Sequence, residues 1–369
     1  MLEVADIFRR YAPAYLHRFG NAMLPSHKRV ITDICKCRTR ELGGYCRKCD
    51  QCGHKVYSYQ SCGNRHCPKC YKKCTKRWLE KQQDRVLPVH YFHIVFTLPA
   101  ELRPIVRRHQ KILYGVLFRA AADSLLTLAA DPQYLGAKIG ITAVLHTWSR
   151  TMDFHPHVHM LVPGGGISPE GQWIESPPEF LVPRPALTKL FRGKFMKLAR
   201  KALPKVKFPE SLWEKEWGVD IRPVGNRWNN VLRYLGRYVH RIAIANSRIQ
   251  SIDDNSIVFR YQNSKTSQWK NLPLTPNEFI RRFLQHVLPK SVVKIRYYGF
   301  FHQSQKAILY RVKTMFLLTG LLLPETEPLP DSQNNNDDSF LEKDIPCPRC
   351  LKGTLLFEEV ILPSRGPPS

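Results

Sequence analysis

Three histidines alternate in the segment MDFHPHVHM: His155, His157 and His159. In an extended strand, residues two apart project from the same face. His157 and His159 therefore present two imidazoles side by side, with Val158 turned toward the opposite face. Two neutral imidazoles at that spacing can chelate one divalent ion. A pair that leaves coordination positions open suits a catalytic ion better than a closed structural one. Pro156 suits a strand start or edge, which skews His155 from the face. A polar strand face without a ligand is the plainer reading of a lone histidine. Three histidines directly before an apolar run and Pro163-Gly164-Gly165-Gly166 favour the metal. On a basic protein, the natural task of such an ion is to polarise a phosphate oxygen and position it for attack.

A second group lies in NVLRYLGRYVHR, residues 230–241. Tyr234 and Tyr238 are four apart, so on a helix they share one face a single turn apart. Arg233, Arg237 and Arg241 supply a cationic stripe beside them. The spacing alone is weak evidence, since Tyr11 and Tyr15 repeat it, and core packing is the plain alternative. Combined with the histidines and arginines, the two phenols become candidate nucleophiles. A phenol of pKa ~10 is a poor nucleophile until the phosphate it attacks is activated. The expected chemistry is attack on a DNA phosphate, a phosphotyrosine intermediate and a released 3′-OH. A later 3′-OH can reverse that step without ATP, and the chain has no G-x-x-x-x-G-K-[ST] phosphate loop.

The cysteines form the third group. Nine lie between Cys35 and Cys74, and two more at Cys347 and Cys350. Cys49-x-x-Cys52 and Cys67-x-x-Cys70 read as two knuckles that together close one tetrahedral zinc shell. Cys62, His66 and Cys74 could form a second site or substitute in the first, and Cys46 extends the first pair. Cys35 and Cys37 read as bystanders, and Cys347-Pro348-Arg349-Cys350 as half a site. A closed cysteine shell is structural, so this module does no chemistry itself. Residues 26–85 hold 16 Lys/Arg against five Asp/Glu. Arg65, Lys69, Lys72 and Lys73 on that platform are candidates to neutralise DNA phosphates without reading sequence.

The elements that must position these groups follow from patterning. Residues 91–98, 138–148, 157–162 and 292–301 read as strands, and 247–261 as a hairpin. Residues 101–130, 188–203 and 226–241 read as helical. Thr275-Pro276-Asn277-Glu278 is a capping box with Pro at the first helical position, opening a helix through Val287. Helices and strands mix without a regular βαβ repeat, which favours an α+β fold with a mainly antiparallel sheet. The boundaries expected are a helical segment over 1–25, a zinc-binding, basic DNA-binding domain over 26–88 and a catalytic domain over 89–320. An acidic disordered linker over 321–345 and a C-terminal tail over 346–369 complete them.

The whole chain of 369 residues carries 57 Lys+Arg against 30 Asp+Glu, a net charge of +27. That excess calls for a polyanionic partner, nucleic acid or an acidic membrane surface. The best spanning candidate, residues 112–130, is interrupted by Arg119 and Asp123. The N-terminus carries charges where a signal peptide has its apolar region. The expectation is a soluble intracellular protein with no membrane partner, whose cysteines are metal ligands rather than disulfides.

With these residues assembled, the chain resembles the rolling-circle insertion-sequence transposases of the HUH two-tyrosine class with an N-terminal zinc-binding domain. The segments carrying the likeness are SCGNRHCPKC (61–70), YFHIVFTLP (91–99), HPHVHMLVPGGG (155–166), RYLGRYVHRIAIANSR (233–248) and RYYGF (296–300). The resemblance implies an HUH endonuclease-type domain with a central, mainly antiparallel sheet and flanking helices. It implies His157 and His159 as the metal pair and Tyr234 and Tyr238 as nucleophiles. It further implies Mg²⁺ or Mn²⁺ for catalysis, Zn²⁺ for structure, and single-stranded DNA cleaved and rejoined at element ends. The setting would be the cytoplasm, at the nucleoid. His155 is the expected third ligand, with a carboxylate or amide elsewhere as the alternative. A rolling-circle replication initiator or relaxase would share this chemistry. A non-catalytic zinc-dependent DNA-binding regulator would use the same residues structurally.

Overall fold

The structure, a computed structural model, describes residues 1–82, 85–225, 231, 236, 242–263, 266–320 and 345–364, without the side chains of residues 72–74, 77 and 225. In chain order, its regular elements begin with α1 (Val4–Phe19), α2 (Pro25–Lys36), β1 (Gly44–Cys49), β2 (Lys55–Tyr59), α3 (Tyr71–Gln82) and β3 (Tyr91–Thr97). There follow α4 (Arg103–Arg108), α5 (Gln110–Ala129), β4 (Gly140–Trp148), β5 (Phe154–Pro163), β6 (Gly165–Ile167), β7 (Trp173–Glu175), α6 (Arg184–Ala202) and β8 (Gly218–Gly225). The remainder are β9 (Ile249–Ile252), β10 (Ile257–Gln262), β11 (Trp269–Leu274), α7 (Pro276–Leu284), β12 (Ile295–Gly299), α8 (Lys306–Leu318) and β13 (Leu355–Ile361).

These elements sort into two compact units whose boundaries do not follow sequence order. One comprises Met1–Cys74, Ile244–Val287 and Pro328–Ser369; the other comprises Thr75–Ala243 and Leu288–Glu327. This corrects the expected continuous domain over 89–320 and the separate tail over 346–369. The reason is visible in the pairing. β13 runs antiparallel to β1, from Gly44 opposite Ile361 to Cys49 opposite Leu355, making a three-stranded sheet in the order β13-β1-β2. The β9–β10–β11 sheet and α7 join the same unit through α1. Phe8 meets Phe283 edge to face at 5.2 Å, and the Tyr11 hydroxyl donates to the Asp253 carbonyl at 2.6 Å. Thr275 caps α7 as expected, its side chain accepting from the Glu278 N–H, while the Glu278 carboxylate accepts from Arg281 and Arg282.

The second unit is an α+β layer structure around a five-stranded antiparallel sheet, order β12-β4-β5-β3-β8. Strand alternation divides its side chains cleanly. Phe92, Ile94 and Phe96 of β3, Ile141, Ala143 and Leu145 of β4, and Val158 and Met160 of β5 all enter one apolar core with Leu113, Leu117, Phe118, Phe191 and Phe195 from α5 and α6. α5 is long and apolar enough to cross a membrane by length and composition, yet 61% of its apolar window is buried inside this unit. Burying large aromatics such as Phe96 and Phe191 on this side stabilises the sheet by ~1.5–3 kcal/mol per side chain. The same alternation sends His93, His146, His155, His157 and His159 to the opposite face.

Candidate active site

The histidine face is built by register. β5 alternates buried and half-buried residues from Phe154 to His159, with all three histidines of the run at half-buried positions. β4 pairs with β5 so that His146 lies directly opposite His157 and Val144 opposite His159. One nitrogen each from His146, His157 and His159 fall within 4.8 Å of one another. The rings of His146 and His159 stand 4.4 Å apart, and those of His157 and His159 4.8 Å apart.

Partners on the far side of the rings orient them. The His157 Nδ1–H donates to the His155 carbonyl at 2.6 Å, which leaves Nε2 with its lone pair. His159 Nδ1 meets His93 Nε2 at 2.8 Å, and the two rings stack with planes 8° apart. Burial holds His93 well below the usual imidazole range, at about 4, so this partner is neutral. His146 stacks on Trp148 at 4.7 Å, and the Lys294 ammonium lies 5.1 Å from that indole. Hydrogen-bonded or stacked imidazoles of this kind are arranged as metal ligands are, with ring orientation fixed from behind.

His155 takes a different role from the one expected. Its Nδ1 accepts from the Arg103 guanidinium at 2.9 Å. Burial, and then the Arg103 charge, push it down to about 4. A side chain occupied by a guanidinium is poorly placed to bind a cation, and His155 stands outside the three-nitrogen group. The third imidazole is His146 instead. Sequence reading missed it because it is a lone histidine inside the apolar run KIGITAVLHTW; only the β4–β5 register brings it to His157. Tyr234, Tyr238, Arg233, Arg237 and Arg241 lie outside the described residues.

The cysteines also regroup. The expected single shell of Cys49, Cys52, Cys67 and Cys70 does not form; the two pairs belong to different clusters. Cys67 and Cys70 converge with Cys62 and with Cys37, which had read as a bystander. Cys70 Sγ lies 3.5 Å from Cys37 Sγ and 3.6 Å from Cys62 Sγ. Cys49 and Cys52 converge with Cys347 and Cys350. The physical cause is topology: the α2 C-terminus delivers Cys37 beside the second knuckle, and β13 delivers Cys347 and Cys350 beside the first. His66 is outside both clusters, and the Cys74 side chain lies outside the described residues. Of the basic candidates, Arg65 is exposed. Lys69 is only 20% exposed and its ammonium sits 2.6 Å from the Glu3 carboxylate, so it serves an internal ion pair. The Lys72 and Lys73 side chains lie outside the described residues.

Comparison with known proteins finds two family models along the chain. A family model described as "Transposase zinc-binding domain" matches residues 7–98, and one described as "Putative transposase" matches residues 140–307. A protein of Sinorhizobium fredii described as "Putative transposase y4qJ" is 39% identical over 99% of this chain and 97% of its own length. The chain belongs to the IS91-type transposases. Also similar to this transposase is the transposase for insertion sequence element IS801 of Pseudomonas savastanoi pv. phaseolicola, 30% identical over 73% of this chain and 69% of that protein. No solved structure matches it. The zinc-binding match spans Cys37, Cys49, Cys52, Cys62, Cys67 and Cys70, so the transposase carries zinc as a structural ion in its N-terminal region. The transposase match spans β4 and β5 and therefore the whole histidine cluster.

Proposed function

We propose that this transposase cleaves and rejoins single-stranded DNA at the ends of its element through a 5′-phosphotyrosine intermediate, in rolling-circle-type transposition in the cytoplasm, at the nucleoid. The observation carrying this reading is the convergence of His146, His157 and His159 on the face of the central sheet opposite its apolar core. Three imidazoles with fixed orientation fit a divalent metal. An all-nitrogen donor set favours a first-row ion over Mg²⁺, which prefers oxygen and water, so Mn²⁺ suits it better of the two. When bound, such an ion would withdraw charge from a non-bridging oxygen of the scissile phosphate.

The chain's own residues supply the rest. His93 and the His155 carbonyl hold the two β5 imidazoles in their binding tautomers. Tyr234 or Tyr238 attacks phosphorus with its phenolic oxygen and loses its proton to solvent. The bond from phosphorus to the 3′ oxygen breaks, and that oxygen takes up a proton to leave as a 3′-OH. The phosphotyrosine retains the energy of the original diester, so attack by another 3′-OH reverses the step. The net charge of +27 gathers the polyanionic strand. Cys37, Cys62, Cys67 and Cys70 hold a structural zinc.

The direct test is incubation with Mn²⁺ and single-stranded DNA bearing the element end, followed by mass mapping of the covalent adduct. Linkage to Tyr234 or Tyr238 is expected; linkage to any other side chain would refute the assignment. A second outcome concerns positioning. His93→Phe removes the partner of His159 Nδ1 while keeping an aromatic ring, and should weaken Mn²⁺ binding by roughly 10–100-fold. Titration calorimetry showing unchanged affinity would mean that His159 needs no such partner.

A further inference from the structure

The second cysteine cluster lies partly beyond the residues matched by the zinc-binding family, because Cys347 and Cys350 come from the far end of the chain. Strand transfer makes no use of it. We propose that Cys49, Cys52, Cys347 and Cys350 hold a second structural zinc ion that fastens the C-terminal segment to the N-terminal sheet.

The sulfur spacing carries the argument. Cys49 Sγ lies 3.7 Å from Cys350 Sγ, and Cys52 Sγ lies 3.6 Å from Cys347 Sγ, with all four atoms within 4.8 Å. Sulfurs at about 2.3 Å from a tetrahedral zinc sit about 3.8 Å apart. A disulfide needs about 2.05 Å, and these cysteines are free.

The two knuckles are alike in backbone as well. In each, the residue after the second cysteine has positive φ: Gly53 at 68° and Leu351 at 57°. Each turns an N–H onto a sulfur, Cys52 N to Cys49 Sγ at 3.5 Å and Gly353 N to Cys350 Sγ at 3.4 Å. Such N–H groups favour thiolates, the form a metal binds. The loops also interlock. Thr354 N donates to the Asp50 side chain at 2.8 Å, and a Cβ on Gly353 would lie 2.5 Å from Cys49 Sγ.

Apolar packing offers little alternative support. The buried cluster here is Cys49, Cys347 and Leu355, while Leu356, Phe357 and Val360 of β13 are more than half exposed. A segment with so small a core needs another staple, and metal is the one these residues can provide.

The test uses the full chain, purified without chelator, with native mass spectrometry and alkylation mapping. The expected result is two zinc ions per chain, with Cys347 and Cys350 labelled at least about tenfold more slowly than after zinc removal. Replacing Cys347→Ser and Cys350→Ser together should reduce the count to one ion and leave Cys37, Cys62, Cys67 and Cys70 protected. The proposal is overturned if Cys347 and Cys350 of the unaltered chain label equally fast before and after chelation, or if the double variant keeps both ions. Labelling of the unaltered chain decides the matter even should the variant fail to fold. Loss of protection confined to the Cys37 cluster would count against that first site and leave this proposal supported.

Discussion

Replacing both Tyr234 and Tyr238 with phenylalanine is expected to abolish covalent capture of single-stranded DNA, by roughly three orders of magnitude or more, while leaving DNA affinity within about twofold. The substitution deletes two oxygens and no charge at neutral pH, so the electrostatic part of binding survives. A metal-activated phosphate without a phenol has only water to accept, and water gives hydrolysis, not a protein–DNA bond. Denaturing gels with end-labelled DNA separate these outcomes. Single substitutions report the division of labour: whichever phenol attacks first carries most of the loss. An adduct of normal yield in the double variant would remove both tyrosines from the mechanism.

The second large effect concerns the metal. His146→Ala should reduce Mn²⁺ affinity by more than about 100-fold, beyond what loss of a supporting partner costs, and abolish cleavage with it. His155→Ala, two residues from His157 in the same run, should leave Mn²⁺ affinity within a few-fold. The contrast follows from geometry. His146 reaches the other two rings through the β4–β5 register, whereas His155 accepts a hydrogen bond from Arg103. Manganese titration followed by electron paramagnetic resonance would read both variants. The reverse ranking, with His155 essential and His146 dispensable, would refute the three-imidazole site.

What could be read from the chain alone was what depends on local spacing. Two-residue alternation exposed His157 and His159, because β periodicity acts within one strand. The Cys-x-x-Cys knuckles and the Thr275 helix cap are likewise local. What could not be read was which local pieces meet. His146 becomes a ligand candidate only after two strands choose a register, and a slip of one residue would turn it into the core. Cys37 seemed idle because its cluster partners are 25 to 33 positions away, and Cys347 seemed half a site because its partners lie about 300 residues earlier. The catalytic sheet was legible as a class, α+β and antiparallel, since strand signals survive without knowledge of their neighbours. The unit boundaries were not, since β13 carries no mark in its own residues of the strand it joins.

The pairing of Gly44 with Ile361 sets a schedule for biosynthesis. At ~5–20 residues per second, a ribosome needs roughly 15–60 s to travel from one partner to the other. Throughout that interval one edge of β1 is open, and it is sealed only when β13 emerges. A prematurely terminated message therefore yields chains whose first-made sheet is unfinished, with an exposed edge that invites quality-control proteases or mispairing with a neighbouring nascent chain.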